Sequence, residues 1–234
     1  MTLPRREDFA PDRLFPADST DAEDTLSDSG VRARTTYRRG GEVVGTITWD
    51  DDGLQPAIGN SLRGDPPRGW RMEYDESGAL SFVEPIVDGR VHGWTAQWAE
   101  DGTLLSTCRF ERGTGTDLFC CRVTGRLAEA HPSRDGLPHG WEQWWADEAR
   151  LFGETHWVVG KRHGPARQWT DDQLDEGYPQ LFVDGVLVDR QTYLAAAQTD
   201  PTLPPLRAAD DRPQRALPSG FTRRVFRPAP WEEE

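Results

Sequence analysis

An all-β fold is predicted: an elongated, single-layer antiparallel meander of short β-hairpin repeats, closed at its C-terminal end by a short helix. Three observations predict it. Glycine-led blocks recur every 22–25 residues, at Gly69, Gly93, Gly115, Gly140 and Gly164, and such a period marks a repeat architecture. Within each block apolar and polar residues alternate, the two-residue period of a strand with one face covered. Finally, glycine (23) and proline (18) are abundant while only 35% of the 234 residues are hydrophobic. That balance favours many turns and half-buried sheet over long helices.

The elements follow in chain order. Residues 1–30 hold eight acidic residues against Arg5, Arg6 and Arg13, and read as a disordered acidic arm. The repeat array spans 31–188. A degenerate first unit begins near Tyr37 and runs through Gly45 and Trp49 to Asp52-Gly53-Leu54. The full units then start Gly69-Trp70-Arg71-Met72-Glu73-Tyr74, Gly93-Trp94-Thr95-Ala96-Gln97-Trp98 and Gly115-Thr116-Asp117-Leu118-Phe119-Cys120. Two more start Gly140-Trp141-Glu142-Gln143-Trp144-Trp145 and Gly164-Pro165-Ala166-Arg167-Gln168-Trp169. Each leads through a turn to a leucine: Leu80, Leu104, Leu127, Leu151 and Leu174. A second turn closes the unit, as in Asp88-Gly89 and Asp135-Gly136, and an apolar residue stands three positions before its glycine (Ile86, Phe110, Trp157, Phe182), with Ser133 the exception. Each unit is therefore one hairpin, marginal alone in water and stable only beside neighbours that bury its aromatic face. Residues 189–200 read as a capping helix, with Asp189 at its start and Asp200-Pro201 at its end. Tyr193 and Leu194 are expected to pack on the last hairpin. From 201 to 234 a proline-rich extended tail carries Phe221, Val225, Phe226 and Trp231, which could dock on the sheet or on a partner.

The unit G-W-x-x-x-[YW]-x-x-x-G-x-L, followed by an aromatic and [DR]-G-x-x-x-G, resembles the MORN-repeat class, and within it the bacterial YwqK-family antitoxins. The resemblance covers residues 37–207, including the Tyr193-Leu194 helix and Asp200-Pro201-Thr202-Leu203-Pro204. It implies an elongated curved sheet used in protein or lipid binding, and the antitoxin branch implies neutralisation of a toxin by direct contact. The chain departs from the pattern at Cys120, which replaces the aromatic, and at Ala149, which replaces a turn glycine.

Charge narrows the partner. A net charge of -13 lacks the basic cluster that a nucleic-acid backbone requires. No basic amphipathic helix is present for an anionic membrane, and lipid-headgroup binding rests on the resemblance alone. A basic protein, such as a toxin or an assembly partner, fits the acidic balance. Met1-Thr2-Leu3-Pro4-Arg5 lacks the apolar run of a signal peptide, and no stretch approaches the ~20 apolar residues of a membrane span, so a cytoplasmic location is expected. Cys108, Cys120 and Cys121 form neither a disulfide framework nor a zinc motif. Oligomeric state stays open, and a structural or assembly role through sheet ends or tails is the alternative to partner neutralisation.

Neither catalysis, cofactor nor metal is expected. No nucleophile, zinc or phosphate-loop motif occurs. His92, His139 and His163 share one position per repeat, about 10 Å apart along a rim, too far for one zinc ion; they are expected to satisfy turn backbone groups. His131 and His156 fall on second strands where they could approach each other, with no carboxylate placed beside them. The binding candidates are the aromatics Trp70, Tyr74, Trp94, Trp98, Trp141, Trp145 and Trp169, a stripe along the first strands, and Trp144, which points to the other face. The stripe serves either as core or as an interface groove.

Overall fold

Among the described residues every strand pairing is antiparallel, and within each sheet the strands follow chain order apart from two-residue strands that pair beside the main path. The computed structural model describes residue 6 and residues 21–49, 60–64, 68–75, 77, 79–146, 150–218 and 221. The protein is an all-β meander; among the described residues 58% are strand and 7% helix, and no closed barrel is formed. It divides into two compact units, Met1–Arg112 and Gly113–Glu234. The loop through Asp52-Gly53-Leu54, the Trp70 side chain, Ala149, and the tail residues Val225, Phe226 and Trp231 lie outside the described residues.

The first unit holds two sheets. β1 (Asp21–Leu26), β2 (Arg32–Arg39) and β3 (Glu42–Thr48) form one; β4 (Asn60–Gly64), β5 (Arg68–Tyr74), β6 (Leu80–Val87), β7 (Arg90–Val91), β8 (Gly93–Trp98) and β9 (Leu104–Phe110) form the other. β1 corrects the expected boundary of the acidic arm. Residues 21–26 pair along β2, because the β2 edge offers unpaired backbone groups that an adjacent segment can satisfy. The side chains of β1 stay exposed, which is why its sequence reads as solvated. Met72, Tyr74, Leu80, Val83, Ala96 and Trp98 form the core, with Tyr37 and Trp49 packed against it.

In the second unit β10 (Gly115–Cys120), β11 (Leu127–Arg134), β13 (Gly140–Trp145), β14 (Leu151–Val158), β15 (Lys161–Thr170), β17 (Gln180–Val183) and β18 (Val186–Val188) follow in order, and the short strands β12 (Leu137–Pro138) and β16 (Gln173–Leu174) pair with β11 and β15. Helix α1 (Arg190–Ala196) comes next, with the Asp189 carboxylate accepting from the Thr192 N–H at 2.7 Å. It is shorter than 189–200. Tyr193 is buried against Leu181 and Leu203, and its hydroxyl donates to the Pro204 carbonyl at 2.7 Å. Leu194 points outward and is exposed, contrary to expectation: in a seven-residue helix, consecutive residues face about 100° apart, and the face that carries Tyr193 is the one turned to the strand pair.

Register explains the repeat motif. The lead glycine pairs with the residue three before the turn glycine: Gly69 with Ile86, Gly93 with Phe110, Gly115 with Ser133, Gly140 with Trp157 and Gly164 with Phe182. Five residues later the aromatic pairs with the leucine: Tyr74 with Leu80, Trp98 with Leu104, Trp145 with Leu151 and Trp169 with Leu174. Cys120 takes the aromatic's place opposite Leu127. In the four hairpins from β5 to β14 the second strand carries one extra residue just before this pair is reached (Ser81, Leu105, Ala128, Phe152). Such a bulge moves the two-residue alternation by one step. Leu104, not Leu105, therefore meets Trp98, and the two-residue alternation of β9 is shifted at its start.

The closing turns stack. Both central residues have positive φ, as in Asp88 (51°) and Gly89 (74°) or Asp135 (54°) and Gly136 (82°), the turn that matches strand twist in a two-residue hairpin loop. Each turn in the second unit hydrogen-bonds to the preceding one: Gly136 N–H to Gly113 O at 2.9 Å, Gly160 N–H to Pro138 O at 2.9 Å and Gly185 N–H to Arg162 O at 2.8 Å. The recurrent histidines complete this ladder. The Nδ1 atoms of His92, His139 and His163 accept from the backbone N–H of Arg112, Val159 and Asp184, at 3.1, 3.3 and 3.0 Å. Where the third unit has no histidine, the Thr114 hydroxyl accepts from Asp135 N–H at 3.1 Å. The backbone groups they serve belong to the turn of the following repeat.

Candidate functional site

The predicted aromatic stripe divides by position within the repeat. Tyr74, Trp98, Trp145 and Trp169, each at the sixth position, are buried. Their cross-strand leucines account for this burial, as such pairs are the unit of sheet stabilisation. Trp94 and Trp141, at the second position, are half-buried, as is Trp144. Burial pushes the Tyr74 phenol up to about 12, so it stays neutral in the core.

In the second unit the stripe is covered by the chain itself. Residues 203–215, expected to be an extended tail, turn back over the β14–β15 face through a short 3-10 turn at Ala208–Asp211. The Leu151 N–H donates to Pro213 O and the Trp169 indole N–H to Asp211 O, both at 2.8 Å. Arg215 reaches Glu154 with Nη2–Oε1 at 2.6 Å and Nε–Oε2 at 3.1 Å. Glu154 is only 2% exposed and is also held by Arg167 Nη1 at 2.8 Å. A buried carboxylate needs such partners, since its desolvation otherwise exceeds the gain from one ion pair. Between this strap and the sheet lies a cavity of about 290 Å³, with Trp141, Gln143, Pro204, Pro205 and Arg207 in its wall.

The opposite face carries a different cluster. β11 brings Glu129 and His131, β13 brings Glu142 and Trp144, and β14 brings Trp157. His131 Nδ1 lies 2.9 Å from Glu142 Oε1, and its Nε2 lies 2.7 Å from Glu129 Oε2. The Trp157 indole N–H donates to the other Glu142 oxygen at 2.8 Å. Phe119 and Trp144 stand edge-on to the His131 ring, with centroids at 5.8 and 6.2 Å. Burial works against a charged imidazole here, but the hydrogen bonds its N–H groups donate to Glu142 and Glu129 outweigh it and raise the His131 pKa above its ordinary value. Burial likewise opposes the Glu142 carboxylate, and hydrogen bonding to His131 still holds its pKa below the usual range.

This cluster corrects the sequence reading twice. Carboxylates do stand beside His131, because β11 pairs with β13 at Glu129–Trp144 and Ala130–Gln143, which sets Glu142 across from the histidine. His156 does not approach His131; it packs on Trp141 at 4.9 Å, and Trp141 and Glu142 are consecutive in β13 and so face opposite ways. His156 Nδ1 donates to the His163 carbonyl at 2.5 Å, and burial lowers its pKa. No family model matches the chain, and no curated protein matches it. Among the described residues no group of three His, Cys, Asp or Glu side chains could hold a metal ion, and no helix is long and apolar enough to cross a membrane. Glu129, Glu142 and Trp157 went unselected from sequence because their grouping depends on inter-repeat register. The local signal was Glu129-Ala130-His131, which puts acid and imidazole on one strand face.

Proposed function

We propose that the chain is a non-catalytic, MORN-like protein-binding module acting in the bacterial cytoplasm, and that it engages a basic protein of the antitoxin–toxin kind. The face that receives this partner carries Phe119, Glu129, His131, Glu142, Trp144 and Trp157. One observation carries the reading. Half-buried aromatics surround two carboxylates on the face that the strap leaves open, whereas the buried sixth-position aromatics serve the core. Aromatic side chains flanked by charge are the usual anchors of a protein interface, and a guanidinium or ammonium group is attracted both by carboxylates and by indole faces. The net charge of -13 favours association with a basic partner.

The test is affinity capture with the native chain, identification of the captured protein, and reconstitution from purified components. A single basic protein is expected, and Glu129→Ala with Trp144→Ala should weaken its binding at least about tenfold, the effect of losing one interface anchor. Trp94→Ala should leave the affinity unchanged. A partner held equally well by the double variant would reject this face.

A further inference from the structure

On the face opposite that patch, the strap shows what the β14–β15 groove recognises. Arg215 enters a socket made of a carboxylate and an aromatic ring: both Glu154 oxygens accept from its guanidinium, and its Cζ lies 5.4 Å from the Trp169 ring. Such a pair binds arginine in particular, because the planar fork matches a carboxylate at two points and stacks on an indole. The segment that delivers Arg215 is extended and proline-flanked, with Pro213 and Pro218 on either side.

Two features make the strap a replaceable occupant. Its anchorage on and beside β14 and β15 is chiefly polar: hydrogen bonds from Leu151 N–H and the Trp169 indole, a single bridge between Arg150 and Gln214, the Arg167–Asp211 ion pair at 3.5 Å and Arg215 itself, with Pro213 as the buried apolar contact. It also underfills the groove, leaving the cavity of about 290 Å³ beside Trp141 and Gln143. The socket does not collapse electrostatically when Arg215 leaves, since Arg167 still pairs with Glu154 Oε1 at 2.8 Å. Departure of Arg215 removes the donor to Oε2, and an incoming guanidinium restores that charge-assisted pair. We infer that the β14–β15 groove is an arginine-peptide site, that residues 203–215 are its internal ligand, and that an extended, proline-flanked arginine segment of another protein displaces them. The strap is thereby an autoinhibitory contact as well as a template for the ligand.

The probe is a fluorescein-labelled synthetic peptide of residues 207–218, added to the full-length chain and followed by anisotropy. The Arg215→Ala chain should bind it at least about tenfold more tightly than the native chain, whose own strap competes at high effective concentration. The same peptide with alanine at its arginine corresponding to Arg215 should not bind, and adding Glu154→Gln to the Arg215→Ala chain should abolish capture. Equal binding to native and Arg215→Ala chains, or none to a variant with native circular dichroism, would overturn the inference. Should Arg215→Ala fail to fold, the native chain serves: excess unlabelled peptide should speed tryptic cleavage after Arg207 and Arg215 severalfold, and an unchanged rate would reject a displaceable strap. Doubling of the native mass in sedimentation would assign the groove to the strap of a second copy instead. None of these readouts involves Glu129, His131 or Trp144, so they stand apart from the test of the opposite face.

Discussion

His131 is where single-residue chemistry in this protein is most exposed to pH. Its ring lies between Glu129 and Glu142, with Arg162 acting on Glu142 from β15. The folded-state pKa is raised above 6.5, so the stabilisation from the charged ring is fully present below about 6.5 and is lost as pH rises through the folded value. Glu142 has the reverse sign: its folded pKa is lowered from 4.5, and its contribution is present above 4.5 and lost as pH falls through the folded value. Native protein should therefore exceed His131→Gln in unfolding free energy most clearly between about pH 4.5 and 6.5. A partly exposed ion pair of this kind contributes about 0.5–1 kcal/mol. Urea unfolding of both proteins from pH 4 to 9 checks it, and a difference that grows above pH 7 would contradict the assigned contacts. The same proton affects recognition, because a charged His131 offsets the two carboxylates offered to a basic partner.

At the scale of the element, the stacked turns decide which glycines are replaceable. Gly113 and Gly89 occupy the same turn position with similar φ, 81° and 74°. A Cβ on Gly113 would lie 2.4 Å from the Gly136 backbone nitrogen, whereas nothing lies within 4 Å of one on Gly89. Gly89→Ala should cost about 1–2 kcal/mol, the penalty of a left-handed alanine. Gly113→Ala should cost about 1–3 kcal/mol more, as overlap with backbone cannot be relieved by a rotamer change. Denaturation midpoints separate the two, and equal losses would show that stacking does not constrain the turn. Much of this element was legible beforehand. The glycine period, the aromatic at the sixth position and the Asp-Gly turns each encode a local conformational requirement, and hairpins are local structures. The bulges at Ser81, Leu105, Ala128 and Phe152 were not legible, because an extra residue leaves no mark in composition. The histidine ladder was only half visible: the recurrence of His92, His139 and His163 was plain, but their acceptors serve the turn of the following repeat.

Across the whole molecule, non-local return of the chain is what the sequence concealed. The strap at 203–215 is proline-rich and polar, and nothing in its period announces that Arg215 ends on Glu154. β1 is acidic and exposed throughout, and only the unpaired edge of β2 recruits it. These two additions differ in what they bury, and so does the stability they confer. In a repeat protein each strand is held by its nearest neighbours, and local opening ranges from nearly free at frayed edges to the full unfolding free energy in the centre. β1 has one neighbour, β2, and covers no core. β14 and β15 each have a strand on both sides, contain the buried Leu151, Glu154, Arg167 and Trp169, and lie beneath the strap. Amide exchange at neutral pH should therefore run through Asp21–Leu26 first and through Leu151–Val158 and Ala166–Trp169 last, with a gap of at least about 100-fold, or roughly 3 kcal/mol of opening free energy. Arg215→Ala should narrow the protection of β14 without altering that of β1, because the strap contributes to one strand and not to the other. Equal exchange in β1 and β14 would mean that the molecule opens as one cooperative block, which nearest-neighbour stacking of hairpins does not produce.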